Sequence, residues 1–239
     1  MMIKVRGLFK SFNEHVVLSN VNLEIQQGEI LAILGESGAG KSVFLQHLIG
    51  LFRPDQGTIE IDGTDVTNLS QRKWLKMRKN MGYLFQQGAL YDFMTVFQNV
   101  AFPLQEHTRL HMPEIKQKVN DLLQMVGLKE AAAKYPSELS GGMKKRAALA
   151  RAVILDSKII FCDEPTSGLD PIRSRDISDL IKKISQQLRC TTVITSHDVP
   201  NSFRIADRLV VFREGKIVAA GTQKELTNSQ DQFIQEFIK

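Results

Sequence analysis

The sequence predicts an α/β fold: an antiparallel β layer near the N-terminus, a helical middle, and a last part in which parallel strands alternate with helices. Three patterns carry this expectation. Near the start, Val21, Leu23 and Ile25 alternate with Asn22, Glu24 and Gln26, the period of a half-buried strand. In the middle, Ile115, Val119, Leu122, Leu123 and Val126 mark one helical face over 113–126. Later, strand-like runs at 159–162 and 191–195 flank a helix whose apolar face is Ile177, Leu180, Ile181, Ile184 and Leu188.

Taken in order, Met1 to Arg6 alternates as a strand does, without the long apolar core and small-residue cleavage site of a signal peptide. A strand is expected over 29–34 and a helix over 43–51, with a glycine-rich loop between them. Thr58 to Ile61 reads as another strand, closed by an Asp62-Gly63 turn. The basic stretch from Arg72 to Lys79 sets Trp74, Met77 and Met81 at helical spacing, a packed stripe with a solvated cationic back, so nucleic acid is not an expected partner. Gly127 is placed to cap the 113–126 helix. A further helix runs from Ser140 through Ala147, Ala150 and Ile154. The chain closes with a hairpin, 209–212 and 217–220 about a Glu214-Gly215 turn, and a short helix ending in Phe237-Ile238-Lys239. This leaves no room for a separate regulatory domain.

With 239 residues, 43% of them hydrophobic and 24% charged, the chain has the material for a full core in one large domain. No apolar run approaches the roughly 20 residues of a membrane helix, so a cytoplasmic location is expected. Cys162 and Cys190 both fall in runs that read as buried strands and are expected to be reduced core thiols. A net charge of +5 decides nothing by itself.

Chemistry enters at Gly35-Glu36-Ser37-Gly38-Ala39-Gly40-Lys41-Ser42, a G-x-x-x-x-G-K-S phosphate loop between the expected strand and helix. Glycines let backbone N–H groups converge on phosphate oxygens, and the helix start adds its positive end. Lys41 supplies a cation and Ser42 a hydroxyl for magnesium. Asp163-Glu164 follows the apolar strand 159–162, where carboxylates reach the crevice at the carboxyl edge of a parallel sheet. Asp163 suits magnesium and Glu164 suits polarising an attacking water. Ser140, as N-cap before Gly141 and Gly142, makes a second helix start with bare N–H groups.

Leu139-Ser140-Gly141-Gly142 resembles the signature motif of ABC-type ATPases, and the resemblance covers nearly the whole chain. It implies a RecA-like parallel-sheet core with the antiparallel layer, formed by 1–86 and 157–239, and an inserted α-helical subdomain over 87–156. It implies ATP bound by Phe12, by residues 35–42 and by Gln86 and Asp163, with Phe12 stacking on adenine. Magnesium would be held by Ser42, Gln86 and Asp163. Catalysis falls to Glu164, to His197 as sensor of the γ-phosphate, and to Lys41. The loop Ser167-Gly168-Leu169-Asp170 would cross to a second subunit in an ATP-bound homodimer, in which Ser140, Gly141 and Gly142 of one copy close on the nucleotide of the other. Met143 stands where most of the family has glutamine.

Three functions share these motifs: a transporter motor, a soluble ATPase of translation or DNA repair, and a regulatory nucleotide-binding module. The single compact cassette and intact Glu164 and His197 favour the motor. The cluster Leu90, Tyr91, Phe93, Met94, Val96 and Phe97 reads either as packing within the helical subdomain or, as the resemblance implies, as the groove where the family receives a short helix of an integral membrane permease, with Tyr91 and Phe93 partly exposed to grip it. Within the family, residues 139–152, 102–108 and 196–200 look most like the ATPases of Mla or MCE-type phospholipid transporters. That likeness implies an MCE-domain partner, a possible small regulatory subunit, and a place at the cytoplasmic face of the inner membrane, held through partner subunits. An amino-acid or other small-solute importer is the alternative.

Overall fold

The computed structural model describes residues 1–238. Four strands form an antiparallel sheet in the order β2-β1-β4-β5: β1 (Ile3–Phe12), β2 (His15–Ile25), β4 (Gln56–Ile61) and the short β5 (Thr64–Asp65). The second sheet has the order β10-β9-β3-β8-β7-β6. It contains β3 (Ile30–Gly35), β6 (Met81–Leu84), β7 (Ile159–Asp163), β8 (Thr191–Ser196), β9 (Arg208–Arg213) and β10 (Lys216–Gly221). The five strands from β9 to β6 in this order are parallel, and β10 turns back antiparallel on β9.

Every residue of β3, β7 and β8 is buried, because both faces of this sheet are covered. Leu31, Ile33, Phe161, Val193 and Phe212 face α1 (Lys41–Leu48) and the apolar side of the antiparallel sheet. Ile30, Ile160, Cys162 and Ile194 face the opposite way, onto α3 (Val96–His107), α4 (Met112–Met125), α5 (Gly141–Val153) and α6 (Pro171–Leu188). A third cluster joins Ala32, Leu34, Leu209 and Val211 to α7 (Val199–Ile205), α8 (Gln223–Thr227) and α9 (Gln232–Phe237).

Four local expectations differ in detail. The helix after the phosphate loop begins at Lys41 and ends at Leu48, because Gly40 at φ +96 is itself the N-cap. Met81 opens β6 instead of joining the helix α2 (Gln71–Arg78). Cys190 lies just before β8, although it is buried and free like Cys162. The C-terminal segment makes two short helices, and Lys239 lies outside the described residues.

The basic stretch is anchored by its aromatic. Trp74 is only 5% exposed, and the Arg78 guanidinium lies over its ring at 5.6 Å while donating to the carbonyls of Ile49 (2.8 Å) and Gly50 (2.9 Å). Gly50 sits at φ +68, and a Cβ there would be 2.1 Å from the Trp74 ring. Gly50→Ala therefore combines overpacking, about 1–3 kcal/mol, with left-handed backbone strain of about 1–2 kcal/mol. A fall in melting temperature of roughly 5–10 °C at unchanged ATP affinity is expected, read by thermal unfolding beside nucleotide titration. An unchanged melting temperature would show that α2 moves away freely.

Candidate active site

β3 delivers the phosphate loop at the carboxyl edge of the parallel sheet, and α1 leaves it. The loop can turn this tightly because Gly38 (φ +82) and Gly40 (φ +96) have no side chain, and a Cβ on Gly40 would meet the Val17 carbonyl at 2.8 Å. A cavity of about 650 Å³ opens over it, lined by Val17, residues 36–43, Gln86, Glu164 and His197.

Lys41 is the cation at the floor of this cavity. Its Nζ donates to the carbonyls of Gly35 (2.7 Å) and Glu36 (3.0 Å) and lies 3.3 Å from Glu164 Oε1. The other oxygen of Glu164, Oε2, is 2.8 Å from His197 Nδ1. Lysine, carboxylate and imidazole are thus joined in one line along the cavity wall. Glu164 has φ +45, a left-handed backbone that is uncommon for a residue with a Cβ. Its N–H holds that turn by donating to Thr195, both to the carbonyl and to Oγ1, each at 3.1 Å. Strain of this kind persists where neighbours over-determine it, and here it aims the carboxylate at the cavity.

Asp163 sits one residue earlier, at the end of β7 and opposite Thr195 in the register. Asp163 Oδ1 accepts from Ser42 Oγ (2.8 Å) and Thr195 Oγ1 (2.7 Å), and Oδ2 accepts from the Tyr83 hydroxyl (3.3 Å). Burial, then the charge of Asp163, pushes the Tyr83 phenol well above its ordinary range, so it stays a donor. Gln86 reaches the cavity from beyond β6, with its side-chain amide on Ser167 Oγ at 3.2 Å. Ser42, Asp163 and Gln86 offer oxygen donors with a single carboxylate. This suits magnesium, which keeps waters and phosphate oxygens in its shell. Among the described residues no cluster of His, Cys, Asp and Glu offers a competing metal site.

Other predicted residues stand apart from the cavity. Phe12, at the end of β1, packs edge-on against Phe52 with centroids 5.1 Å apart, and the Lys10 ammonium lies 5.1 Å over its ring. Lys10 is paired to Asp55 at 2.7 Å, and that bond, with the donors of Ser11, holds the Asp55 carboxyl at about 2. Ser140 caps α5, its Oγ accepting from Met143 N at 3.4 Å, and this helix start does not line the cavity of its own chain. Met143 packs its side chain against the helical core. Asp170 caps α6 by accepting from the N–H groups of Ile172 (3.1 Å) and Arg173 (3.0 Å), which hold its carboxyl below the usual range.

The sequence reading missed Val17, Tyr83, Thr195 and Lys145. Lys145 is buried in α5 and donates to the carbonyl oxygens of Gln86 and Glu164. Its helical spacing from Gly142 and Ala148, both buried, was the available signal, hidden inside the run Lys144-Lys145-Arg146.

This fold and this site define a nucleotide-hydrolysing cassette, and residues 18–167 match the family described as ABC transporter. The chain belongs to that family: it is the ATP-hydrolysing subunit of a transporter and works at the membrane periphery with membrane partners. Among the described residues no helix is long and apolar enough to cross a membrane. The chain is 45% identical, over its whole length and 90% of the relative, to the intermembrane phospholipid transport system ATP-binding protein MlaF of Haemophilus influenzae. It is 44% identical, over 99% of its length and 68% of the relative, to the probable ribonucleotide transport ATP-binding protein mkl of Mycobacterium leprae. A dimeric, post-hydrolysis structure of the ATP-binding cassette MJ0796 bound to ADP and Pi is 31% identical, with a TM-score of 0.85, covering 92% of this chain and 98% of that one.

Proposed function

We propose that this chain is the ATPase of a phospholipid transporter. The cargo reading is supported by one observation: the 45% identity to the Haemophilus influenzae phospholipid transport subunit runs over the entire chain, beyond the shared catalytic motifs. An MCE-domain protein and a small regulatory subunit are the further partners proposed. The permease would dock from the cytoplasmic side on the loop before α3. There Phe93 is 74% exposed beside the half-exposed Tyr91, and buried Asn99 fixes the loop by donating to the carbonyls of Tyr91, Met94 and Thr95.

For hydrolysis, the backbone N–H groups of the loop bind the phosphates, and Lys41 turns from Glu164 to the γ-phosphate oxygens as they arrive. That exchange frees the Glu164 carboxylate to orient and polarise the attacking water. His197, 2.8 Å from Glu164 Oε2, would keep that carboxylate in position and would sense the γ-phosphate. Ser42, Asp163 and Gln86 would hold magnesium, which neutralises charge on the phosphate oxygens. Phe12 would meet the adenine ring. Two copies would close head to tail, Ser140, Gly141 and Gly142 of one covering the phosphate loop of the other, with Asp170 at the crossing.

The test is to purify the native complex through this chain, sequence its permease and extract its lipids. Phospholipid recovered with an MCE-domain subunit is the expected result. A small-solute-binding protein or bound ribonucleotide, without MCE subunit or phospholipid, would overturn the cargo reading and leave the ATPase intact.

A further inference from the structure

α5 is bound to the catalytic loops by two cations, the buried Lys145 and the half-buried Arg151. Lys145 is 6% exposed, and its ammonium donates to the carbonyl oxygen of Gln86 and, at 3.4 Å, to that of Glu164. These carbonyls follow β6 and β7, neighbouring parallel strands in which Leu84 is opposite Cys162. One ammonium therefore braces the ends of both strands from below. Two turns further along α5, Arg151 donates to the carbonyls of Gly88 (2.8 Å) and Ala89 (2.7 Å), so the same helix also holds the residues that follow Gln86 in the loop between β6 and α3. Among the described residues Lys145 makes no side-chain ion pair, and burial lowers its affinity for the proton it carries. Such a buried ammonium costs stability unless its donors find acceptors, and here two backbone carbonyls take up two of its three N–H groups.

We propose that Lys145 is a positioning residue that sets Gln86 and Glu164 relative to each other and ties both to the helix start at Ser140–Gly142. This rests on the reading of Glu164 and Gln86 as water and metal residues. Gly142 lies one turn before Lys145 on the same buried face of α5. A nucleotide of the second copy that engages Ser140 and Gly142 pulls on the helix carrying Lys145. The pull reaches the water-polarising carboxylate and the metal-site glutamine of this copy through two hydrogen bonds. Lys145 does not line the cavity over the phosphate loop, so its removal disturbs the alignment of the reacting groups more than the hold on ATP.

The experiment measures kcat, KM for ATP and the Hill coefficient in the native transporter complex carrying Lys145→Met, Lys145→Gln or Lys145→Arg, with Glu164→Gln alongside. Lys145→Met is expected to lose about 10- to 100-fold in kcat, with KM within about threefold and the Hill coefficient falling towards 1. Lys145→Gln should lose less, and Lys145→Arg should restore most of the rate. A merely structural lysine would lower the melting temperature while kcat per folded complex stayed within twofold, and that result overturns the proposal. If Lys145→Met does not assemble, a Gln variant slower than Arg at equal KM supports it, and equal rates overturn it. An active Glu164→Gln complex would sink the water-polarising reading, whereas an inactive one beside a fully active Lys145→Met sinks only the brace.

Discussion

Glu164→Gln is expected to slow hydrolysis by about 10² to 10⁴ while ATP remains bound, because a positioned base typically contributes that much. The substitution keeps the volume of a side chain that is only 10% exposed and wedged between Lys41 Nζ (3.3 Å) and His197 Nδ1 (2.8 Å). An amide oxygen still accepts a hydrogen bond from the imidazole, so the wall of the cavity stands. What disappears is the negative charge that draws a proton from the attacking water. It also removes the anion that competes with ATP for Lys41, so affinity should hold or rise. Phosphate release from the complex, set against equilibrium binding of ATP, reads the two effects separately. Turnover within a fewfold of the parent would show that another group polarises the water.

Lys41→Ala should do the opposite and weaken ATP binding by about 2–5 kcal/mol, roughly 30- to 5,000-fold in Kd. Lys41 has a short reach here, its Nζ held by the carbonyls of Gly35 (2.7 Å) and Glu36 (3.0 Å) at the floor of the loop. The buried setting makes its charge count for more than a surface lysine's would. Removing it leaves Glu164 facing the phosphates without a cation between them, two like charges at close range. Mixing this chain with a Ser140→Arg chain tests the shared site. Only the mixed pair keeps one working site, built from Lys41 of the Ser140→Arg copy and Ser140 of the other. Hydrolysis appearing on mixing two inactive preparations is the expected result. A mixture as inactive as its parts would count against the head-to-tail dimer.

The elements and the phosphate loop were legible because their signals are local. Alternation in 21–25 and the helical face of 115–126 need only a few neighbouring residues to be read, and both appear as β2 and α4. The order glycine-rich loop, Lys41, Ser42 likewise names its chemistry within eight positions. Boundaries were less legible: α1 starts at Lys41 because Gly40 can adopt φ +96, and Met81 leaves its helical stripe because pairing with Ile159 makes it the first residue of β6. The tertiary structure alone decided how the acidic pair is aimed. Thr195 is 31 residues from Glu164 and Tyr83 is 80 from Asp163, yet strand pairing brings both into hydrogen-bond range. Glu164 holds its left-handed backbone with its N–H donating to Thr195, a partner that only folding brings near. Lys145 reads in sequence as one of three consecutive cations, and only the packing of α5 under β6 and β7 turns it inward. A local pattern records what a residue does to its neighbours in the chain. The direction in which a charged side chain points depends on desolvation and on partners that folding supplies from far away.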